Sequence, residues 1–451
     1  MKITFLGGAE TVTGSKFLVE TNSTKVLVDC GLFQGYKWLR ERNWQSLPLN
    51  LDTLDAVLLT HAHLDHSGYI PVLYKQGFRG PVYTHHATKA LCEILLADSG
   101  HIQEEDAKYY RKHKMGKHEH PKPLYDRETA EHSLSLFHAV NFDEVLEVGD
   151  IRFYLQPAGH ILGAASIVVE SEQKRIGFSG DVGRFQDVLM KPPRPLPALD
   201  ALLMEATYGN RQHVDQNPEQ SLAAVVNAVA QREGVLLVPA FAVGRAQALQ
   251  HLLAKLMDEG QIPRMPIFLD SPMAIRVSDT FCSFSDQHRL SHKQCHQMCD
   301  AVTYTRTVDE SKALAVEPYP HIIIAGSGMA TGGRILHHFK RLLNNPKTTV
   351  LFTGYQAGGT RGAKMLDGAK SVRIHGEWIP IRASIEVTLA LSGHADYLEL
   401  TQWLQQSALA DSTQITLIHG HQDALESLRT HLQEKTPFSV RVAAYRDVLK
   451  M

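Results

Sequence analysis

The segment HAHLDHSG, His61 to Gly68, places three histidines and an aspartate within six consecutive positions. It directly follows the apolar run AVLLT, which predicts a buried strand, so these side chains lie where the chain leaves the core. The spacing puts His61 and His63 on one side of an extended chain, and Asp65 and His66 then turn with the loop. Imidazole and carboxylate groups are the donors that zinc prefers, so this arrangement predicts a metal site, whereas one histidine alone would indicate only a polar, solvated loop.

One loop cannot complete a site for two ions, because each ion usually takes at least three protein ligands. Further donors follow other predicted strands. They are Asp29 in LVDCG, His160 in QPAGHILGAAS, Asp181 in GFSGDVGR, Glu205 in EATYG, His394 in SGHAD, and His419 with His421 in LIHGH. Any one of them could be an ordinary turn residue, since aspartate and glycine are common in turns for conformational reasons. Their repeated position at strand ends predicts that these side chains meet in one site.

Composition limits the substrate and the compartment. The chain has 451 residues, 43% of them hydrophobic, which is enough for two or three domains of typical size. Lys+Arg of 46 against Asp+Glu of 48 gives a net charge of −2, so a polyanionic substrate has to be held by a local basic groove. No secretory signal and no run approaching the ~18 apolar residues of a membrane span is evident, which predicts a cytoplasmic protein without membrane contact.

Five cysteines, at positions 30, 92, 282, 295 and 299, are an odd number and predict reduced thiols instead of a disulfide framework. The segment HKQCHQMC, from His292 to Cys299, has the residue types of a metal knuckle. Its ligand pairs fall on one predicted helix and no partner set follows, so an additional zinc site there is the disfavoured alternative.

The order of predicted elements changes twice along the chain. The segment up to about residue 200 is strand-rich, with helices predicted over 88–113 and 126–137. From Asn217 onward helices and strands alternate, which is typical of βαβ units around a parallel sheet. This middle segment lacks the glycine-rich phosphate fingerprint of a nucleotide-binding domain. After about residue 373 strands return in SVRI, PIRASIEVTLA and QITLIHGH, so we predict an α/β protein of more than one domain.

These motifs resemble those of a known family. LVDCG, HAHLDHSG, GHILGAAS and FSGD are similar to the metallo-β-lactamase superfamily, and EATYG, SGHAD and LIHGH to its β-CASP branch of nucleic-acid hydrolases. VPAFAVGRAQALQ, LDSPMA, AGSGMATGGRILHHFKRLL and GYQAGGTRG extend the resemblance through the middle segment. It implies a four-layered αβ/βα sandwich with an inserted α/β β-CASP domain. Residues 1–207 would form the first part of the sandwich, 208–372 the β-CASP domain, and 373–451 the part that completes the sandwich.

The resemblance also implies a metal centre with two Zn²⁺ per chain, or Mn²⁺ as the alternative metal. The implied ligands are His61, His63 and His160 for one ion, Asp65, His66 and His419 for the other, and Asp181 as the bridge between them. Asp29 would fix the orientation of a ligand, as metal-binding imidazoles usually require.

The implied reaction is hydrolysis of a phosphodiester bond. Its transition state builds negative charge on the attacking and leaving oxygens, which two ions ~3.5–4 Å apart stabilise together. A bridging water with a pKa lowered toward ~7 would supply hydroxide in a catalytic centre that includes Asp65. The leaving sugar oxygen needs a proton, which His394, oriented by Glu205, would donate. A structural salt bridge is the alternative role for Glu205.

RNA is the implied substrate, because members of the family that act on RNA carry a histidine at the position of His419, whereas DNA-repair members have an aliphatic residue there. Turns between strands and helices of the middle segment would hold phosphates through amide and guanidinium groups, unless their residues only pack or cap helices. These residues are Arg245, Ser327, Gly328, Thr331, Arg334, Tyr355 and Arg361. The sequence departs from the family at Gly393, His421 and Ala363, where alanine, glutamate and arginine are usual.

We therefore predict a metal-dependent ribonuclease that cuts single-stranded RNA endonucleolytically, because the sequence has neither the N-terminal KH domains nor the additional C-terminal domain of some members. A 5′-exoribonuclease and a DNA nuclease are the alternatives within the family, and a homodimer is one alternative for the oligomeric state. A small-molecule metallo-hydrolase would not need the inserted domain or the pair of Glu205 and His394. A non-catalytic scaffold would be expected to have lost ligands, and none is missing from this sequence.

Overall fold

The computed structural model describes residues 1–112, 121–213, 217–354, 356–388 and 390–451. The chain divides into two structural units. The first comprises Met1–Gln186, Met190–Gln212 and His394–Met451, and the second comprises Asp187–Leu189 and His213–Gly393. Among the helices of these described residues, none is long and apolar enough to cross a membrane.

Short aliphatic runs form most strands in the first part of the first unit. The strands are β1 (Lys2–Gly7), β2 (Lys16–Glu20), β3 (Lys25–Val28), β4 (Ala56–Leu58), β5 (Val82–His85), β6 (Phe137–Val140), β7 (Leu146–Val148), β8 (Ile151–Pro157), β9 (Ala165–Ser171), β10 (Lys174–Phe178) and β11 (Ala201–Glu205). The helices are α1 (Lys37–Arg42), α2 (Leu64–Ser67), α3 (Ile70–Lys75), α4 (His86–Lys112) and α5 (Arg127–Ser133).

The two helices predicted from sequence in this part are α4 and α5. The helix predicted over 88–113 begins two residues earlier, at His86, and position 113 lies outside the described residues. The helix predicted over 126–137 ends at Ser133, because a short 3-10 turn and then β6 take up the rest of the segment. Asp126 caps α5, since its side chain accepts the backbone N–H of Thr129 at 2.8 Å.

Helices and strands alternate in the second unit, as the sequence predicted. The helices are α6 (Pro218–Gln231), α7 (Arg245–Asp258), α8 (Pro272–Ser283), α9 (His292–Asp300), α10 (Val308–Ala313), α11 (Ile335–Leu342) and α12 (Arg361–Leu366). The strands are β12 (Val235–Pro239), β13 (Ile267–Asp270), β14 (Thr303–Tyr304), β15 (His321–Ala325), β16 (Thr349–Phe352), β17 (Ser371–Ile374), β18 (Glu377–Pro380) and β19 (Ser384–Val387).

A parallel sheet with the order β14-β13-β15-β12-β16-β19 forms the centre of the second unit. β17 and β18 pair separately as an antiparallel hairpin. β19 pairs with β16, so the second unit continues to Gly393, whereas the sequence analysis placed the division after residue 372. The inner strands β12 and β15 of the parallel sheet are fully buried, which explains why the runs GVLLVP and HIIIA are continuously apolar.

After the second unit the chain returns to the first. The helices there are α13 (Tyr397–Gln406) and α14 (Gln422–Lys435), and the strands are β20 (Gln414–Ile418), β21 (Ser439–Val442) and β22 (Val448–Lys450). With them, the first unit has one sheet in the order β22-β1-β2-β3-β4-β5-β6 and a second in the order β21-β20-β11-β10-β9-β8-β7.

The two sheets of the first unit pack face to face. Phe5 and Phe17 of the first sheet share a core with Phe153 and Phe178 of the second, and the ring centroids of Phe17 and Phe178 lie 6.1 Å apart. The outer face of the second sheet packs against α13 and α14, where Trp403 is fully buried. On the other side α4 contacts β5 and β6. These layers confirm the predicted αβ/βα sandwich with an inserted α/β domain.

Strand direction explains how distant donors converge. β3 and β4 are parallel neighbours in the first sheet, and β10, β11 and β20 are parallel neighbours in the second. The carboxyl ends of parallel neighbours lie at one edge of a sheet, so residues that follow these strands are brought together. Asp29 follows β3, Glu205 ends β11, and His419 follows β20. Asp29 and His419 both have left-handed backbone conformations, with φ of 58° and 48°, which non-glycine residues adopt at a cost that often marks functional sites.

Candidate metal centre

Three histidines and one aspartate form the first group of donors. His61 and His63 lie on the loop after β4, and their nitrogens Nε2 and Nδ1 are 3.2 Å apart. His160, between β8 and β9, has its Nε2 3.3 Å from the same Nδ1 of His63. Asp181, after β10, has its Oδ2 3.3 Å from His61 Nε2 and 3.5 Å from His160 Nε2. One ligand atom from each residue lies within 4.8 Å of the other three, a spacing that a single ion can bridge.

The second group of donors consists of Asp65, His66 and His419. The Nε2 atoms of His66 and His419 lie 3.2 Å apart, and Oδ2 of Asp65 lies 3.4 Å from Nε2 of His419. Their ligand atoms also lie within 4.8 Å of one another. The structure thus brings an aspartate and a histidine of one loop together with a histidine more than three hundred residues later.

Asp181 lies between the two groups. Its Oδ1 is 3.3 Å from Nε2 of His66 and 3.4 Å from Nδ1 of His419, while its Oδ2 contacts the first group. This Oδ1 is buried and accepts no hydrogen bond within the described residues. A buried carboxylate oxygen that accepts no hydrogen bond is costly, and a cation between the histidines and Asp181 would supply the missing interaction. The residues therefore fit divalent cations on both sides of Asp181.

Asp29 and two threonines hold these ligands in place. Asp29 Oδ2 lies 2.7 Å from Nδ1 of His66, which leaves Nε2 of that ring to face Asp181. The hydroxyl of Thr60 donates to Asp29 and lies 3.0 Å from Nδ1 of His61. Thr207 places its hydroxyl 3.1 Å from Nδ1 of His419. Sequence analysis identified Asp29 but missed both threonines, because a threonine beside a strand end is equally common in cores that bind no metal.

Burial and charge favour the ionisation states that metal binding requires in most of these donors. His66 is the exception, since burial acts to lower its pKa but the carboxylates of Asp181 and Asp29 raise it well above its usual value. Burial and the nearby His66 lower the pKa of His61, and burial lowers the pKa of His160 well below its usual value. Burial acts to raise the pKa of Asp181, but the imidazoles of His419, His66 and His61 hold it well below its usual range. Metal ligands must be neutral imidazoles and ionised carboxylates, so most of these donors are already in the required form.

His394 and Glu205 form a pair beside the first group. Glu205 is fully buried, and its Oε1 lies 3.1 Å from Nδ1 of His394. The same Nδ1 is 4.0 Å from Oδ2 of Asp181. Burial acts to lower the pKa of His394, but the carboxylates of Glu205, Asp181 and Asp65 together outweigh it, and the pKa is raised. The structure therefore places these two residues next to the donor cluster, with His394 biased toward its protonated form.

A buried lysine supports the loop of Asp65 and was not recognised from sequence. Lys16 is 1% exposed, and its ammonium donates to the carbonyl oxygens of Gly14 and Gly31. A β-carbon at Gly31 would lie only 1.6 Å from the carbonyl oxygen of Asp65, so only glycine fits there. Burial lowers the pKa of Lys16 to about 8. A lysine in an otherwise ordinary strand, KFLVE, gives no sequence signal of such a role.

The predicted phosphate-binding residues lie at one edge of the parallel sheet of the second unit. They follow the neighbouring strands β15, β12 and β16. Arg245 begins α7, and its guanidinium lies beside Gly354. The Ser327 hydroxyl accepts the backbone N–H of Thr331 at 3.1 Å. Gly328 packs against the ring of Phe241, which leaves no space for a β-carbon. Tyr355 lies outside the described residues.

Two of the predicted arginines contact protein groups. Arg334 forms an ion pair of 2.7 Å with the fully buried Asp270 and donates to the carbonyl oxygens of Thr305 and Arg306. Arg361 donates to the carbonyl oxygen of Ala330 and, at 3.0 Å, to that of Arg373 on β17. These contacts hold the loops of the second unit together.

Two of the departures from the family pattern, His421 and Ala363, lie near the N-termini of helices. His421 is the residue before α14, and the backbone N–H of Ala363 donates to the capping hydroxyl of α12.

In the segment HKQCHQMC, His292 and His296 are exposed, and the Sγ of Cys299 lies 4.0 Å from the Sγ of Cys282 on α8. The described residues that group as metal donors do not include this segment.

Three protein-family models match this sequence. The model of the metallo-beta-lactamase superfamily matches residues 11–238, that of the Beta-Casp domain matches 246–365, and that of the Zn-dependent metallo-hydrolase RNA specificity domain matches 378–443. Together they cover the strands and loops that carry the donor cluster.

Similar proteins are found in bacteria and archaea. Ribonuclease TTHA0252 of Thermus thermophilus is 37% identical over 437 residues, which is 95% of each chain. Transcription termination factor FttA of Methanosarcina mazei is 29% identical over 479 aligned positions, which cover all of this chain and 72% of the relative. A protein of unknown function from Enterococcus faecalis has the same fold, with a TM-score of 0.54 at 16% identity over 100% of this chain and 99% of its own.

Proposed function

The chain belongs to the β-CASP branch of the metallo-β-lactamase superfamily, and we propose that it is a ribonuclease that hydrolyses phosphodiester bonds of single-stranded RNA endonucleolytically, with two Zn²⁺ ions per chain. It is a metal-dependent hydrolase by family. The observation that carries the proposal is the position of Asp181, whose two carboxylate oxygens face two separate groups of donors.

We assign the donors to two ions. His61, His63 and His160 would hold one, Asp65, His66 and His419 the other, and Asp181 would contact both. Such ions stabilise charge on the attacking and leaving oxygens of a phosphodiester and lower the pKa of a bound water. Asp29 and the two threonines keep the rings oriented, so the ligands are arranged before any ion binds.

His394 is proposed as the proton donor to the leaving oxygen. It stands beside the cluster, and its Nδ1 lies 3.1 Å from Oε1 of Glu205. Glu205 is fixed in turn, because its Oε1 accepts the backbone N–H of Val182 at 2.7 Å and its Oε2 that of Thr207 at 3.2 Å. A carboxylate held this way keeps one orientation of the imidazole, as a general acid requires.

The choice of RNA rests on the named relative and on two features of this chain. The relative from Thermus thermophilus is named a ribonuclease, and the C-terminal family match is named for RNA specificity. His419 contributes to the second donor group, as we expect for members that act on RNA. We keep Arg245, Ser327, Gly328, Thr331 and Tyr355 as proposed phosphate contacts. Arg334 and Arg361 are proposed to act by positioning their loops, since their donors are occupied by protein oxygens.

The test uses purified full-length protein with a linear RNA, a circular RNA and a DNA of one sequence, each single-stranded. We expect cleavage of both RNAs, loss of cleavage on chelation, and recovery with Zn²⁺ or Mn²⁺. Cutting of the circle identifies endonucleolytic action, since a circle has no end. Cleavage of the linear RNA alone would replace that part of the proposal with a 5′-exonuclease. Cleavage of DNA in preference to RNA would overturn the assignment of RNA as the substrate.

A further inference from the structure

A partly exposed cluster of aromatic and arginine side chains lies on the first unit, outside the donor cluster. Trp38 on α1 is 54% exposed, although a tryptophan usually contributes to a core. The guanidinium carbon of Arg42, one helical turn later, lies 4.9 Å from the Trp38 ring centroid and 3.9 Å from that of Tyr445. Arg446 also stacks on Tyr445, at 5.4 Å. We call Trp38, Arg42, Tyr445 and Arg446 the α1 patch.

The α1 patch is positively charged in a protein whose net charge is −2. Lys37 and Arg40 extend it along α1, and the ion pair of this helix within the described residues joins Lys37 to Glu41 at 3.5 Å. None of the ion pairs of the described residues involves Arg40, Arg42 or Arg446. Their charges are therefore available to a polyanion. The α1 patch thus offers the local basic surface that a nucleic-acid backbone requires on a protein of net negative charge.

The α1 patch borders the second donor group. The loop 8–15 connects the two, since its Gly8 carbonyl accepts the backbone N–H of His419 at 2.6 Å, and its Ser15 N–H donates to the Asp65 carbonyl at 2.9 Å. On its other side Glu10 accepts the backbone N–H of Tyr445 at 3.2 Å. An RNA strand that leaves the second donor group along this loop would pass the α1 patch.

We propose that the α1 patch is a stacking site for unpaired bases of the RNA substrate, with Trp38 and Tyr445 as the platforms and Arg42 and Arg446 as contacts to the adjoining phosphates. Sites for single-stranded nucleic acid combine these two elements, because every base offers a flat face and every linkage a negative charge. Arg42 already lies between the two rings, so the platforms are ordered before RNA binds. The proposal rests on the proposed function, since it takes the RNA to be the substrate.

The test compares Trp38→Ala with Trp378→Ala in the metal-loaded full-length protein. Trp378, on the hairpin of the second unit, is 68% exposed and is the matched control. We expect Trp38→Ala to raise the Kd and KM for single-stranded RNA about ten-fold, the size typical of one lost base stack. Trp38→Phe should recover most of the affinity. kcat at saturating RNA and hydrolysis of bis(4-nitrophenyl) phosphate should stay unchanged. Arg42→Gln should reduce the dependence of log Kd on log salt concentration by roughly 0.7, as for one phosphate contact to a single strand.

The outcomes separate this proposal from the proposed function. If wild-type protein cleaves single-stranded RNA but Trp38→Ala binds it as Trp378→Ala does, the stacking site is overturned while the ribonuclease assignment stands. If wild-type protein neither binds nor cleaves RNA, the proposed function fails first. If Trp38→Ala alters the sedimentation coefficient and leaves RNA affinity unchanged, the α1 patch is a contact between copies of this chain, and the proposal is likewise overturned.

Discussion

Oε1 of Glu205 contacts both His394 and the backbone. It lies 3.1 Å from the imidazole Nδ1 of His394 and accepts the backbone N–H of Val182 at 2.7 Å. The carboxylate is fully buried and cannot turn away without leaving a backbone donor unpaired. The orientation of His394 is therefore set by the protein and not by the substrate.

The first prediction concerns His394→Ala. The variant should keep its bound metal and its fold, because His394 is not among the proposed ligands. Cleavage of RNA should fall by about 10²–10⁴, the usual cost of removing a general acid. The loss should be much smaller for a phosphodiester with a nitrophenolate leaving group, which departs without a proton. Rates on both substrates and metal analysis check this. An equal loss on both substrates, or loss of metal, would move His394 to the ligands.

The second prediction compares the two histidines of LIHGH. His419→Ala should weaken binding of one of the two ions and abolish RNA cleavage, because His419 completes the second donor group. His421→Ala should retain both ions, since His421 precedes α14 and is outside both groups. Metal content after dialysis against a weak chelator measures the difference. Two tightly held ions in His419→Ala would remove this residue from the ligands.

The third prediction concerns the pH dependence of stability. Burial lowers the pKa of Lys16 in the folded protein from its usual 10.5 to about 8, so the unfolded chain binds more protons between these pH values. The free energy of unfolding of the wild type, relative to Lys16→Met, should therefore rise by roughly 3 kcal/mol from pH 8 to pH 10.5 and be constant below pH 8. Urea unfolding of both proteins across this range checks it, and a pH-independent difference would contradict it.

The fourth prediction concerns the cysteines, which were expected from sequence to be reduced thiols. A hydrogen bond from Cys282 lowers the pKa of Cys299 to about 6, against the effect of burial. Burial raises the pKa of Cys30 to about 12 and also raises that of Cys92. Iodoacetamide should thus alkylate Cys299 first, with a rate that rises at a pH below the usual pKa of a thiol as the thiolate forms. Peptide mass spectrometry reads the order, and modification of Cys30 in the folded protein would contradict it.

The predicted fold is confirmed, and the structure brings the predicted donors close together, because strand ends are visible in the sequence. An aliphatic run followed by histidine or aspartate predicts a buried strand and a polar residue at its end. Asp181 and His419 could therefore be recognised as candidate donors although they lie far apart in the chain. Parallel pairing of β10, β11 and β20 then brings these edges together. The four-layered sandwich was implied by the resemblance of these motifs to the metallo-β-lactamase superfamily, and the structure and the family matches confirm it.

Other features could not be read from sequence, because they depend on contacts between distant segments. Arg334 stands at a strand-to-helix turn, where a phosphate contact is a reasonable expectation, but a buried carboxylate on a neighbouring strand pairs with it. Lys16 gives no sign of being buried, since charged residues usually begin strands at the surface. The aromatic residues of the α1 patch are far apart in the sequence, and no sequence pattern indicates that Arg42 contacts both of them.

The contact between His66 and His419 spans 353 residues of sequence. During synthesis the second donor group stays incomplete while all of the inserted unit is made, and it closes only when β20 joins the sheet beside β11. A nascent or prematurely released chain that ends before His419 can hold at most the first group of donors. The order of translation therefore fixes the order in which the two donor groups can form, with the second group dependent on one of the last segments of the chain to be made.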